Sequence, residues 1–152
     1  MTVGRVTPPD GREPLEALAR WRPRLEDPDF RIGAWVKSWT DDQGLTHVGW
    51  FDYSPDAREF LGDVGRHGWV QVFDWQTWLQ TPEGERIAHQ PGGIEEATPD
   101  DLVRILTAII RSDRFTEGSI AGAFESGLLT RVIRRAEALA APARPQDGDG
   151  PA

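Results

Sequence analysis

The sequence predicts an α+β fold: a single, mostly helical domain with a small antiparallel β-sheet packed on the helices. Three observations predict it. From Thr98 to Arg135, apolar residues recur at three- and four-residue spacing in three successive blocks, the period of helices with one buried face. Between Phe30 and Tyr53 two stretches alternate apolar and polar around Asp41-Asp42-Gln43-Gly44, the pattern of a hairpin spanning about residues 31–53. Ser54-Pro55-Asp56, Thr81-Pro82-Glu83 and Thr98-Pro99-Asp100 repeat one start signal. A hydroxyl caps free backbone N–H groups, proline tolerates the first helical position, and an acid suits the positive end of the dipole.

Residues 1–12 are rich in Pro, Gly and charge and predict a disordered arm ahead of one globular domain over 13–140. Pro14 to Arg22 reads as a short helix with Leu15, Leu18, Ala19 and Trp21 inward, ended by Pro23. Asp27-Pro28-Asp29 is a loop. In the hairpin a four-residue loop sets Trp35 opposite Trp50, and a one-residue slip sets it opposite Phe51. The helix after Ser54 runs to about Gly65, with Ala57, Phe60, Leu61 and Val64 inward. Trp69 to Phe73 is extended and apolar, a third short strand. Asp74 caps a short helix holding Trp75, Trp78 and Leu79, and Thr81 restarts a helix towards His89.

The helix from Pro99 to Arg111 belongs at the centre of the domain. Leu102, Ile105, Leu106, Ile109 and Ile110, widened by Val103, leave only Arg104, Thr107 and Arg111 on the remaining face. The run from Arg111 to Gly118 breaks the period, and Asp113 or Thr116 caps the next helix, Glu117 to Ser126. Gly118 and Gly122 in or beside that helix each cost about 0.5–1 kcal/mol relative to alanine, which predicts close approach by a neighbouring backbone. Gly127 ends the helix. A last helix, Leu128 to Ala140, turns Leu129, Val132, Ile133, Ala136 and Leu139 inward and Arg131, Arg134 and Arg135 outward. Residues 141–152 predict a disordered tail.

Composition removes several function classes. A net charge of −8 and a pI near 4.8 argue against a general nucleic-acid or anionic-membrane binder. Zero cysteines exclude disulfides, thiolate metal sites and a cysteine nucleophile. No apolar run approaches the roughly 20 residues needed to span a bilayer, and the N-terminus lacks the apolar core of a signal peptide. A cytoplasmic location is the expectation. Lys37 is the only lysine, so the basic side chains are otherwise arginine, and seven tryptophans need placing.

Two segments carry a family resemblance: Phe73-Asp74-Trp75 with Trp78 (FDWxxW), and Leu106 to Gly118 (LTxxxRxDRFxEG) followed by the FESGLL of Phe124 to Leu129. With the hairpin and the PDF of Pro28 to Phe30, the chain resembles, over roughly residues 13–140, an uncharacterised bacterial family catalogued as domain of unknown function number 6508. The resemblance implies a small α+β domain. It brings no activity, cofactor or site residues.

Two constellations are candidates for ligand binding. Arg111, Asp113, Arg114 and Glu117 can form a pocket for an anion or polar ligand, since an arginine fork grips carboxylate or phosphate and acids can hold it in place. The plainer alternative is a network pinning the corner between two helices. Asp74, Trp75 and Trp78 can form an aromatic-walled site with one carboxylate, or simply a cap and two core rings. His67 has no identifiable partner as a general base. His47, His67 and His89 lack metal-ligand spacing, so neither metal nor cofactor is expected. Glu117 and Glu125, about 12 Å apart by helical rise, are too distant for a dyad. GxGxxG, P-loop and GxSxG fingerprints are absent.

The expected function is therefore a cytoplasmic interaction module without catalysis, binding a small molecule or a protein at the Arg111–Glu117 corner and the Asp74–Trp78 aromatics. A homodimer is compatible with the paired-helix surfaces. Two alternatives stand beside it. Residues 116–140 resemble a helix-turn-helix in Ala123, Gly127 and Ile133, with Arg131, Arg134 and Arg135 towards phosphates, against the acidic net charge. A small-molecule enzyme becomes credible if the two constellations meet around a concave pocket.

Overall fold

The computed structural model describes residues 3–142. Its helices are α1 (Glu13–Ala19), α2 (Arg22–Leu25), α3 (Pro55–Arg66), α4 (Trp75–Leu79), α5 (Pro82–His89), α6 (Pro99–Ser112), α7 (Ser119–Glu125) and α8 (Leu128–Ala140). A 3₁₀ turn, Ile94–Glu96, precedes α6. The strands are β1 (Gly33–Val36), β2 (Trp39–Thr40), β3 (Thr46–His47) and β4 (Trp50–Tyr53), in two antiparallel two-stranded ladders. The chain is thus an α+β domain with helices dominant, as the periodicity predicts. Among the described residues no helix is long and apolar enough to cross a membrane.

The start signals work as caps. Ser54, Asp74, Thr81 and Thr98 accept the amides of Ala57, Thr77, Gly84 and Asp101. Thr98 adds a full capping box, because Asp101 Oδ2 accepts the Thr98 amide at 3.0 Å. That start fixes α6 at the centre, against α4, α5, α7 and α8, with Leu102, Val103 and Leu106 fully buried. Helix α8 lies along α1 and closes the far side through Leu129, Val132, Ile133 and Ala136.

The hairpin takes the slipped register. Trp35 faces Phe51, and Val36 faces Trp50. The turn decides it. Asp41 donates its N–H to the Leu45 carbonyl at 3.0 Å, while its Oδ1 accepts the amides of Gln43 and Leu45. Asp41 and Leu45 therefore close the ladder around a loop of Asp42 to Gly44, with Gly44 left-handed at φ 82°. This is the three-residue hairpin loop rather than the four-residue one, and every pairing moves by one.

Other expectations are corrected by long-range contacts. The 1–12 arm is packed where it is described: Val6 is buried, Asp74 donates its N–H to the Val3 carbonyl, and the Thr7 amide reaches Gln71 Oε1. One apolar side chain and a few backbone bonds outweigh a composition that reads as disorder. The tail expected over 141–152 lies almost wholly outside the described residues. The 14–22 helix splits, because Trp21 turns back to the Leu18 carbonyl and Pro23 opens α2 instead. Residues 69–73 join no sheet, and Phe73 lies at a bend. The Gln71 amide donates to Thr107 Oγ1 at 3.1 Å, which lays this segment across α6. Thr107 is consequently buried, so the α6 face left over by the apolar pattern is covered at its middle, while Arg104 and Arg111 stay half-buried.

Candidate functional site

The loop from Arg111 to Gly118 turns α6 into α7 and lies between the hairpin and the 71–75 segment. Phe115 and Thr116 donate their amides back to the Ser112 carbonyl, at 3.0 and 2.9 Å. The side chains of this tight turn divide between two sides.

Asp113 and Glu117 face the hairpin. Asp113 Oδ1 accepts the Tyr53 hydroxyl at 2.6 Å and the amides of Gly118 and Ile120 at 3.1 and 3.4 Å. It therefore caps α7 from outside the helix, as expected of Asp113, although α7 begins later than predicted. Burial and then the Asp113 carboxylate push the Tyr53 hydroxyl well above its ordinary pKa. Glu117 Oε1 accepts the Phe51 amide at 2.9 Å. Ser54 donates its N–H to the Ile32 carbonyl, so by alternation the Phe51 N–H points away from β1. Glu117 thus closes the outer edge of β4. Gly118 sits left-handed at φ 88°, and a Cβ there would come 2.7 Å from the Trp35 ring. Gly122 does not share this role, since nothing lies within 4 Å of a Cβ built on it, and the close approach of a backbone predicted for both glycines is met at neither: at Gly118 the neighbour is a side chain.

Arg111, Arg114 and Phe115 face the other way. With Trp75 and the chain from Gln71 to Phe73 they line an open cleft of about 360 Å³. The Trp75 and Phe115 rings lie 6.0 Å apart at 47°. Phe115 is 72% exposed and Val72 93%. The Arg111 and Arg114 guanidiniums have no hydrogen-bond or acidic partner among the described residues, as with Arg5, Arg12 and Arg20, whereas Arg22, Arg24, Arg58, Arg66, Arg86, Arg104, Arg131 and Arg134 each pair with an acid.

The two sequence constellations therefore meet, but only in part. Trp75, Arg111 and Arg114 come together at the cleft. Asp74 caps α4, its two oxygens on the amide and hydroxyl of Thr77, and the hydroxyl bond holds its carboxyl below the usual range. Trp78 is a core residue, 2% exposed. The residues that sequence reasoning missed are Gln71, Val72 and Phe73. An exposed valine in an apolar run was the available signal, hidden because the run reads as a buried strand.

A larger groove of about 430 Å³ runs between α5, α6 and α7 over Ile105, Ile109 and Ala123. Its hydroxyls, Ser112, Ser119 and Ser126, donate back to carbonyls of their own turns, and its Arg131 is held by Glu95. That leaves the His89 imidazole as the polar lining side chain without a partner among the described residues. The α8 arginines are likewise engaged: Arg131 forks onto Glu95, Arg134 reaches Glu26 at 2.6 Å, and Arg135 reaches the Ala97 carbonyl at 2.9 Å. Of the seven tryptophans, Trp21, Trp69 and Trp78 are core, Trp75 borders the cleft, and Trp35, Trp39 and Trp50 are exposed on the hairpin.

Residues 11–141 match the model of a family of unknown function, DUF6508, and the chain belongs to that family. No curated protein and no solved structure matches it.

Proposed function

From membership of a family without an assigned activity, we propose that the protein is a binding module whose contact site is the cleft between residues 71–75 and 111–115. One observation carries this: two guanidiniums without a partner among the described residues stand in one cleft beside exposed aromatic and aliphatic side chains. Exposed apolar surface rimmed by charge marks an interaction site, because a partner that covers it removes that surface from water. The lining supplies no hydroxyl, imidazole or carboxylate to act as nucleophile or base, which favours binding over catalysis although the two segments meet. The α8 arginines are drawn down by Glu95 and Glu26, which takes support from the DNA-binding alternative.

The test is a thermal-shift and tryptophan-fluorescence screen of the full chain against metabolites and nucleotides, with duplex DNA included. A ligand that raises the melting temperature and loses its effect in Arg114→Ala supports the cleft. Stabilisation that survives in Arg114→Ala and Arg111→Ala places binding elsewhere.

A second reading, a protein or second-copy interface, is favoured by the hairpin, where Trp35, Trp39, Leu45, Val48 and Trp50 are all exposed. Sedimentation of the chain against Trp39→Ser with Trp50→Ser tests it. Association lost in the double variant supports it, and a strictly monomeric chain removes the second copy.

A further inference from the structure

We infer that the cleft takes a small anion joined to a flat apolar body, an aromatic carboxylate or phosphate, and rejects ring-bearing ligands whose polar groups are donors. The inference rests on the reading of the cleft as the binding site and names its ligand class.

Hydrogen-bond supply around the cleft is one-sided. Arg111 and Arg114 each present a guanidinium with five N–H donors, and no protein group takes any of them among the described residues. The acceptors nearby are engaged. Gln71 Oε1 accepts the Thr7 amide, and Gln71 Nε2 donates to the Thr7 and Gly68 carbonyls, so the only lining side chain with an acceptor is held by the N-terminal segment. Asp74 is closed onto Thr77, and Asp113 and Glu117 point to the hairpin. A ligand hydroxyl or ammonium entering the cleft loses water and finds no side-chain acceptor. A carboxylate or phosphate loses water and finds two forks whose planar geometry it matches.

The walls set the rest of the ligand. Trp75 and Phe115, their rings 6.0 Å apart at 47°, give the cleft an aromatic wall that suits a flat apolar body. About 360 Å³ is at the small end of the range for small-molecule sites, enough for one or two fused rings with an acidic substituent. Arginine donors beside the rings oppose a cationic ligand, so the aromatic wall does not act as a cation cage.

The experiment uses the ¹⁵N-labelled full chain and follows backbone and indole N–H resonances. The probes are 2-naphthoate and 2-naphthyl phosphate, 2-naphthol and 2-naphthylmethylamine as the ring without an anion, and acetate and inorganic phosphate as the anion without a ring. Expected is saturable binding of the naphthoate or the naphthyl phosphate, with shifts at the Trp75 indole and Phe115, and weakening by at least about tenfold in Arg111→Gln and in Arg114→Gln, the loss expected of one charge-assisted bond. Which of the two acids binds tighter separates carboxylate from phosphate. Circular dichroism melts establish that both variants fold. Equal or tighter binding of the naphthol or the amine, sensitive to Arg114→Gln, overturns the ligand class and leaves the cleft standing. Acids that bind undiminished to both variants, or no shift with any probe, overturn the ligand class and the cleft together.

Discussion

Within eight residues the loop from Arg111 to Gly118 presents two surfaces of opposite character. On the hairpin side the groups are satisfied: Asp113 holds Tyr53 and the start of α7, Glu117 closes the β4 edge, and Gly118 lets the Trp35 ring come close. On the cleft side the Arg111 and Arg114 guanidiniums find no partner among the described residues, and Phe115, beside Trp75, stays largely exposed. The contrast separates charge that builds the fold from charge kept for something else. It also makes a mutational prediction, because the two sides differ in what they contribute to stability.

The largest effect is expected at Asp113. Asp113→Ala removes the acceptor for one hydroxyl and two amides, and leaving such groups unmet lowers stability by about 2–4 kcal/mol in urea unfolding. A loss below about 0.5 kcal/mol would mean that the hairpin is held without this hub.

Gly118→Ala comes next. The left-handed backbone alone costs an alanine about 1–2 kcal/mol. The exposed Trp35 ring can swing away from the new Cβ, so little is added. Gly122→Ala sharpens the contrast: it lies inside α7 with open space around it and should stabilise by about 0.5–1 kcal/mol. Equal signs for the two would break the distinction.

Tyr53 gives a pH-dependent version of the same comparison. It is the chain's one tyrosine, so tyrosinate absorbance reports this side chain alone. Its pKa is raised by burial and by Asp113, so the folded state favours the neutral hydroxyl. That stabilisation is complete below the ordinary tyrosine value of about 10 and is lost as pH rises through the folded value. The absorbance step should therefore lie above the ordinary range and coincide with unfolding. Tyr53→Phe, about 1 kcal/mol less stable at neutral pH, should lose this alkaline sensitivity. A step at the ordinary tyrosine pH in the folded chain would show that the hydroxyl is not held.

Much of this fold is written in local signals and little of the site is. Caps at Ser54, Asp74, Thr81 and Thr98 act over three residues, and the α6 stripe acts over four, so both are legible in the sequence. The hairpin register turned on whether Asp41 closes the loop or belongs to it, a choice made by its own carboxylate. The loop's charges are harder. Asp113 meets Tyr53 across sixty residues and Glu117 meets Phe51 across sixty-six, and no spacing rule reaches so far. Arg111, Asp113, Arg114 and Glu117 therefore look like one cluster in the sequence and are two in space. Gln71 escaped notice because a packed N-terminal segment, itself composed like disorder, is what holds it at the cleft.

The smallest stability effects are expected on the cleft side, and that is what makes them informative. Arg111→Ala and Arg114→Ala remove no hydrogen bond found in the fold, so each should change unfolding free energy by no more than about 0.5 kcal/mol. Removing a positive charge makes an already acidic chain more so, which opposes any gain from relieving repulsion between the two guanidiniums. Urea unfolding of both single variants and the double variant checks this. If Arg114→Ala costs as much as Asp113→Ala, the cleft arginines are architecture and the two surfaces of the loop are alike. If the double variant unfolds like the parent chain while losing the ligand, the loop has kept two charges that folding does not need.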